Sequence, residues 1–280
     1  MKVSERIADW LADHGIEQVF TVTGGGAMYL NQALASHPRL KCTFMHHEQA
    51  CAMAAEGYAR VAGKPAVVMV TTGPGGINAL NGVFGAFTDS IPMLVIGGQV
   101  KRATCLEYTP VPGLRQLGDQ EGPVVAMARP VTKLAESVGS PEALVELLPR
   151  ALATAIGGRP GPVWLDIPLD VQSAECPPLP AFTAPSPQAP ADLADACHRI
   201  ATTLRKAHRP LHLGYRLRHS RLRDSQDLGS TGARHHNDAI VIGHDEVARC
   251  NTHVAQADDA ADRLHLQRRR PRRPLPAAAG

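Results

Sequence analysis

Five short aliphatic runs, each closed by a turn and followed by a stretch with helical spacing, constrain this chain more than any other feature. Val19-Phe20-Thr21-Val22 stops at Gly24-Gly25-Gly26. Cys42-Thr43-Phe44-Met45 follows. Ala66-Val67-Val68-Met69-Val70 runs into Thr71-Thr72-Gly73-Pro74-Gly75-Gly76, Pro92-Met93-Leu94-Val95-Ile96 closes at Gly97-Gly98, and Gly161-Pro162-Val163-Trp164-Leu165-Asp166-Ile167 comes last. Between them, the spacing of apolar residues predicts helices over 3–14, 27–36, 48–62, from the Gly73-Pro74 turn to Phe84, and over 141–156. Ser4 is the expected N-cap of the first. A strand apolar at every position, such as 66–70, belongs to a sheet covered on both faces. Strand and helix in alternation, with short connections, predict an α/β fold: a parallel sheet sandwiched by helices.

That pattern covers about residues 1–175. Residues 176–190 carry Pro177, Pro178, Pro180, Pro185, Pro187 and Pro190, a linker composition. Residues 191–206 have helical spacing through Leu193, Ile200 and Leu204, and 191–214 read as the fragmentary start of a second domain. From 211 onward there are 12 Arg and no Lys, with seven His and no Phe, Trp or Met. Such a composition cannot offset an ordering cost of about 1–2 kcal/mol per residue, so 215–280 is expected to be a disordered basic tail. The charge divides accordingly. Residues 1–180 hold 13 basic against 16 acidic residues, and 181–280 hold 16 against 10. A nucleic-acid arm is set last among the readings, because only Tyr215 supplies an aromatic ring among the basic residues. The tail also reads as an out-of-frame product of a GC-rich gene.

Other classes are excluded more simply. No run of about 18 apolar residues offers a membrane span. The first residues lack the apolar core of a secretory signal. Six cysteines with no Cys-x-x-Cys pair argue against a disulfide framework and a structural zinc site. A cytoplasmic protein is the expectation.

Two local motifs carry possible chemistry. The Gly73-Pro74-Gly75-Gly76 turn lies between a strand and a helix, as a phosphate cradle does. Asn78, however, stands where a dinucleotide fingerprint needs Gly or Ala, and a tight turn for close packing explains it equally well. His46-His47-Glu48-Gln49 sits at a strand-to-helix junction, where a carboxylate faces the positive end of the helix. It is no His-Glu-x-x-His zinc motif, because the second histidine's position holds Cys51.

Taken together the motifs are more specific. Val19–Gly25, His47–Arg60 and Thr71–Asn78 occur in order, followed by Asp89-Ser90-Ile91-Pro92-Met93, Gly98-Gln99-Val100 and Gly158–Val163. In this arrangement residues 1–175 resemble the N-terminal, pyrimidine-binding domain of the thiamine-diphosphate enzymes, and among them the acetolactate synthase large-subunit group. The resemblance implies a carboligase or decarboxylase, transferase or lyase, acting on 2-keto acids in branched-chain amino-acid synthesis. It assigns Glu48 as the catalytic residue, which bonds the pyrimidine N1′ and favours the imino form that deprotonates C2. It assigns Gly24, Gly25, Thr71, Pro74 and Asn78 to the pyrimidine surroundings, and Gln99 to the neighbourhood of the reacting centre. It further implies a homodimer through the thiamine-binding domains, Mg²⁺ on the diphosphate, and FAD in some members. The Gly-Asp-Gly segment that holds Mg²⁺ in this family is absent here, so no metal ligand is assigned. The expectation is the N-terminal part of such an enzyme, truncated or frame-disrupted after about residue 214. The alternative is a non-catalytic relic folding as one α/β domain.

Overall fold

The computed structural model describes residues 1–184 and 191–206. The chain divides into a unit Met1–Pro187 and a second unit beginning at Gln188. The first unit is a six-stranded sheet, parallel throughout: β1 (Gln18–Thr21), β2 (Lys41–Phe44), β3 (Ala66–Val70), β4 (Met93–Gln99), β5 (Leu134–Ser137) and β6 (Pro162–Pro168), in the order β2-β1-β3-β4-β6-β5. The helices are α1 (Val3–Asp13), α2 (Met28–Ser36), α3 (Glu48–Ala62), α4 (Pro74–Thr88), α5 (Val124–Ala128), α6 (Pro141–Ile156) and α7 (Leu169–Gln172). In the second unit α8 (Leu193–Lys206) is a single amphipathic helix. The expected tail over 215–280 lies outside the described residues.

Every residue of β3, β4 and β6 is buried, including the polar Gln99 and Asp166 in otherwise apolar strands. Successive side chains alternate between faces. Val67, Met69, Leu94, Ile96, Val163 and Leu165 join α1, α2 and α6 in one core. Ala66, Val68, Val70, Met93, Val95 and Trp164 join α3, α4 and α5 in the other.

Local features differ from the sequence reading, the short helices α5 and α7 among them. β5 was not anticipated: four residues, only Ala135 fully buried, on the edge of the sheet. Ser4 is not the N-cap of α1. The N-cap is Lys2, two residues earlier, Ser4 is buried within the first turn, and the Glu5 carboxylate accepts from the Lys2 N–H at 2.9 Å. α4 continues past Phe84 to Thr88, since no residue there stops it. The proline-rich stretch starts against the first unit. Trp10 Nε1 donates to the Pro180 carbonyl, and the Phe182 N–H donates to His14 Nε2, each at 2.8 Å.

Candidate functional site

The chain reverses its direction of travel across the sheet between β1 and β3. From β1 it moves outward to β2, then returns to β3 on the other side and proceeds to β4. Connections leaving such a pair diverge and leave a crevice beyond the carboxyl ends of the strands. Gly24, Gly25 and Gly26 follow β1 and Thr71, Thr72 and Gly73 follow β3, so both glycine-marked turns meet at this point. The Gly26 N–H donates to Thr71 Oγ1 at 3.1 Å, and Asn31 Nδ2 donates to the Gly24 carbonyl at 3.3 Å. A Cβ on Gly24 or Gly26 would overlap the side chain of Thr71 or Thr72, so these turns approach only because the side chain is absent. Gly73 has φ 53° and ψ −107°, a conformation that L side chains avoid, and it caps the start of α4 with Pro74 as the first helical residue.

Glu48 enters the same crevice from β2. It is the first residue of α3, whose N-cap His47 accepts the Gln49 N–H on Nδ1 at 3.1 Å. Glu48 is 9% exposed. Asn78, one turn into α4, donates Nδ2 to Glu48 Oε2 at 3.0 Å. Oε1 has no hydrogen-bond partner among the described residues, and it lies 3.4 Å from the position of a Cβ on Gly75. Gln49 Nε2 donates to Asn81 Oδ1 at 3.1 Å, so two successive residues of α3 are clamped by asparagines one helical turn apart on α4. Behind Glu48, the Cys51 thiol is pushed up to about 11 by burial and by the Glu48 charge. An open depression beside these turns is lined by Thr23, Gly24, Gly25, Met28, Asn31 and Phe44.

The structure therefore brings Gly24, Thr71, Pro74, Asn78 and Glu48 to one crevice, with Gly25 on its rim. Gln99 is 3% exposed and bonds to other groups. Its Nε2 donates to Asp166 Oδ2 at 3.0 Å and to the Gly122 carbonyl at 3.4 Å, and its Oε1 accepts the Val100 N–H at 2.9 Å. Sequence reasoning did not single out Asp166, Asn31 or Gln172. Gln172, wholly buried, donates Nε2 to the Gly26 carbonyl at 2.7 Å and to the Ile167 carbonyl at 2.8 Å. No spacing signal finds Asp166 or Gln172, because each acts on a segment distant in the chain.

Comparison with known proteins gives the following similarities. Residues 1–120 match the family described as thiamine pyrophosphate enzyme, N-terminal TPP binding domain. The chain is 34% identical over 201 residues to the chloroplastic acetolactate synthase of Arabidopsis thaliana, covering 68% of this chain and 28% of that protein. It is 38% identical over 168 residues to the acetolactate synthase isozyme 3 large subunit of Escherichia coli (strain K12), covering 60% and 28%. The large subunit from Haemophilus influenzae is 36% identical over 167 residues, again 60% and 28%. The chain thus spans less than a third of the length of these relatives.

The donor set fits the aminopyrimidine half of thiamine diphosphate. A buried carboxylate keeps one oxygen without a partner among the described residues, and the glycine turns beside it leave room where any Cβ would intrude. Among the described residues, no group of three or more His, Cys, Asp or Glu is placed to hold a metal ion. The fit therefore concerns the pyrimidine half. No described helix is long and apolar enough to cross a membrane.

Proposed function

We propose that this chain, whose N-terminal part is an acetolactate synthase-like thiamine pyrophosphate enzyme domain, presents the pyrimidine half of a thiamine-diphosphate site through Glu48. One observation carries the reading: Glu48 stands buried at the start of α3, with Oε2 held by Asn78 and Oε1 without a hydrogen-bond partner among the described residues. A carboxylate in a water-poor crevice exchanges a proton with a ring nitrogen more readily than one in bulk solvent, where hydration stabilises its charge. When bound, thiamine diphosphate supplies carbanion chemistry at its thiazolium C2 toward a 2-keto acid. Glu48 holds a proton at N1′ of the pyrimidine and so makes the neighbouring amino group basic. Asn78 keeps the carboxylate from rotating. Gly24, Gly25, Thr71 and Pro74 shape the floor and walls. Gln99 stands one layer behind, tied to Asp166 and to the turn at Gly122.

Mg²⁺ and the diphosphate are assigned to a part of the enzyme outside the described residues. No described feature supports FAD. A homodimer through this domain has support in the apolar residues Met53, Ile77 and Phe84, exposed on α3 and α4.

The test is hydrogen–deuterium exchange at cofactor C2. It is read by NMR, with the chain at cofactor and Mg²⁺ concentrations high enough to populate even a weak complex. Glu48→Gln keeps the shape but cannot take the proton. General acid–base participation is typically worth about 10²–10⁴ in rate, so acceleration of exchange should fall by that order. Equal exchange in Glu48→Gln and the parent removes Glu48 from the role.

A further inference from the structure

We propose that Asp166 is a positioning residue of this crevice: its carboxylate fixes the Gln99 amide, and Gln99 fixes the 120–122 turn against Gly73. The inference rests on the reading of the crevice as the pyrimidine site. Gly97 and Asp166 are register partners on the adjacent strands β4 and β6, which places Asp166 next to Gln99, two residues along β4. Both side chains are buried, at 4% and 3% exposure. The two amide hydrogens of Gln99 go to different acceptors, one to Asp166 Oδ2 and one to the Gly122 carbonyl. Its oxygen is held by the Val100 N–H. A flipped amide would set oxygen against carboxylate, so Asp166 dictates which way Gln99 faces. The turn that Gln99 holds lies directly on the start of α4. A Cβ on Gly73 would overlap the Gln120 carbonyl oxygen, and a Cβ on Gly122 would stand 3.3 Å from the Gly73 Cα. Gly73 begins the helix that carries Asn78, the residue that holds Glu48.

The chain of contacts is sensitive to charge. No salt bridge among the described residues includes Asp166. Burial pushes its carboxyl up to about 7, against the opposing pull of the Gln99 amide, and the Glu107 charge adds to the rise. Two neighbouring titratable groups are held away from that pH. Tyr108 is pushed up to about 12 by burial. Burial alone would raise Glu121, but the N–H groups of Leu117, Gly118 and Leu106 outweigh it and hold this carboxyl below its ordinary range. An ionised Asp166 makes a charge-assisted bond to Gln99, roughly twice as strong as a neutral one. The turn is therefore held more firmly above pH 7 than below. Global stability runs the opposite way. The unfolded carboxyl titrates near 3.9. Between that value and about 7 the folded state keeps a proton the unfolded state has lost, so stability falls as pH rises through this window.

The experiment is amide hydrogen exchange over residues 118–123, corrected for intrinsic rates, at pH 6 and pH 8, on the full chain. Carbon-13 NMR of the labelled aspartate carboxyls is recorded alongside. In the parent protein, protection at pH 8 should exceed that at pH 6 by about fivefold, given the stronger charged bond, and the Asp166 carboxyl should titrate near 7. Asp166→Asn should abolish the difference. Gln99→Met should lower protection at pH 8 to the pH 6 level. Three results overturn the proposal: protection independent of pH in a parent whose Asp166 carboxyl titrates between pH 6 and pH 8, unchanged protection in Gln99→Met, or, where that carboxyl titrates in the ordinary range, protection over 118–123 in Asp166→Asn equal to the parent's. The first needs no variant to fold. Glu48→Gln separates this inference from the site reading, since it should leave protection over 118–123 intact while C2 exchange falls. If Glu48→Gln leaves C2 exchange intact instead, the crevice is no pyrimidine site and Asp166 orders only a loop, which also overturns the proposal.

Discussion

The two faces of the sheet are built from side chains of different size, and the difference decides where chemistry can be placed. On one face α1, α2 and α6 pack Ile7, Leu11, Leu30, Leu34, Leu144 and Leu148 against the strands. On the other, α3 and α4 meet through Cys51, Ala52, Ala55, Ala59, Ala79 and Val83. Large aliphatic residues bury more area, at about 25 cal/mol per Å², and the first face contributes the greater part of that stabilisation. Small residues let helix backbones approach. α3 and α4 lie close enough for short asparagine side chains to cross from one to the other, as Asn78 does to Glu48 and Asn81 to Gln49. Stability is concentrated on the leucine face and polar geometry on the alanine face.

Substitutions on each face can break this division. The largest effect on stability is expected from Leu148→Ala. Leu148 is fully buried on the leucine face, and truncating such a residue costs about 2–5 kcal/mol. Denaturant unfolding should show that loss, while C2 exchange per folded molecule stays at the parent rate. A parallel loss of exchange would show that the faces are not separable. Gly82→Ala comes next. Its Cβ would stand 2.6 Å from the Ala52 Cβ and 2.9 Å from the Met53 backbone nitrogen, and backbone cannot give way cheaply. Overpacking of this kind typically costs about 1–3 kcal/mol. Here exchange should fall as well, because the displaced helix carries Glu48. Stability lost with exchange preserved would detach the α3–α4 contact from the site. Glu56→Gln should do least. Glu56 pairs with Arg60 one turn along α3, and Arg60 also pairs with Asp89. Such a partly exposed pair contributes under about 1 kcal/mol. Eight residues of helix put Glu56 roughly 12 Å along the axis from Glu48, beyond reach of the same ring nitrogen. Its melting temperature should move slightly and its C2 exchange should match the parent.

The elements that were legible are those whose pattern is local. Ala66–Val70 announced a strand covered on both faces, and it is one. The helix expected over 141–156 spans Pro141–Ile156, with Ser140 Oγ accepting the Ala143 N–H at 3.1 Å. β5 escaped notice because Leu134-Ala135-Glu136-Ser137 has neither alternation nor an apolar run. It becomes a strand through pairing with β6, from Leu134 against Val163 to Ser137 against Asp166. Ser4 failed as a cap because the helix starts at Val3, and the Glu5 carboxylate accepts the Lys2 N–H at its end instead.

The candidate site divides along the same line. By itself the sequence determined that the sheet is parallel, that glycine turns follow β1 and β3, and that a glutamate opens α3, because backbone preference and hydrophobic period act over a few residues. Only the tertiary structure decided that these turns face each other across the β1–β3 reversal, that Asn78 reaches Glu48, and that Asp166 governs Gln99 from 67 residues away. A hydrogen bond between buried groups depends on which strands become neighbours and how closely their helices pack. No local spacing encodes that neighbourhood; the ordering of the strands and the size of the residues between them do.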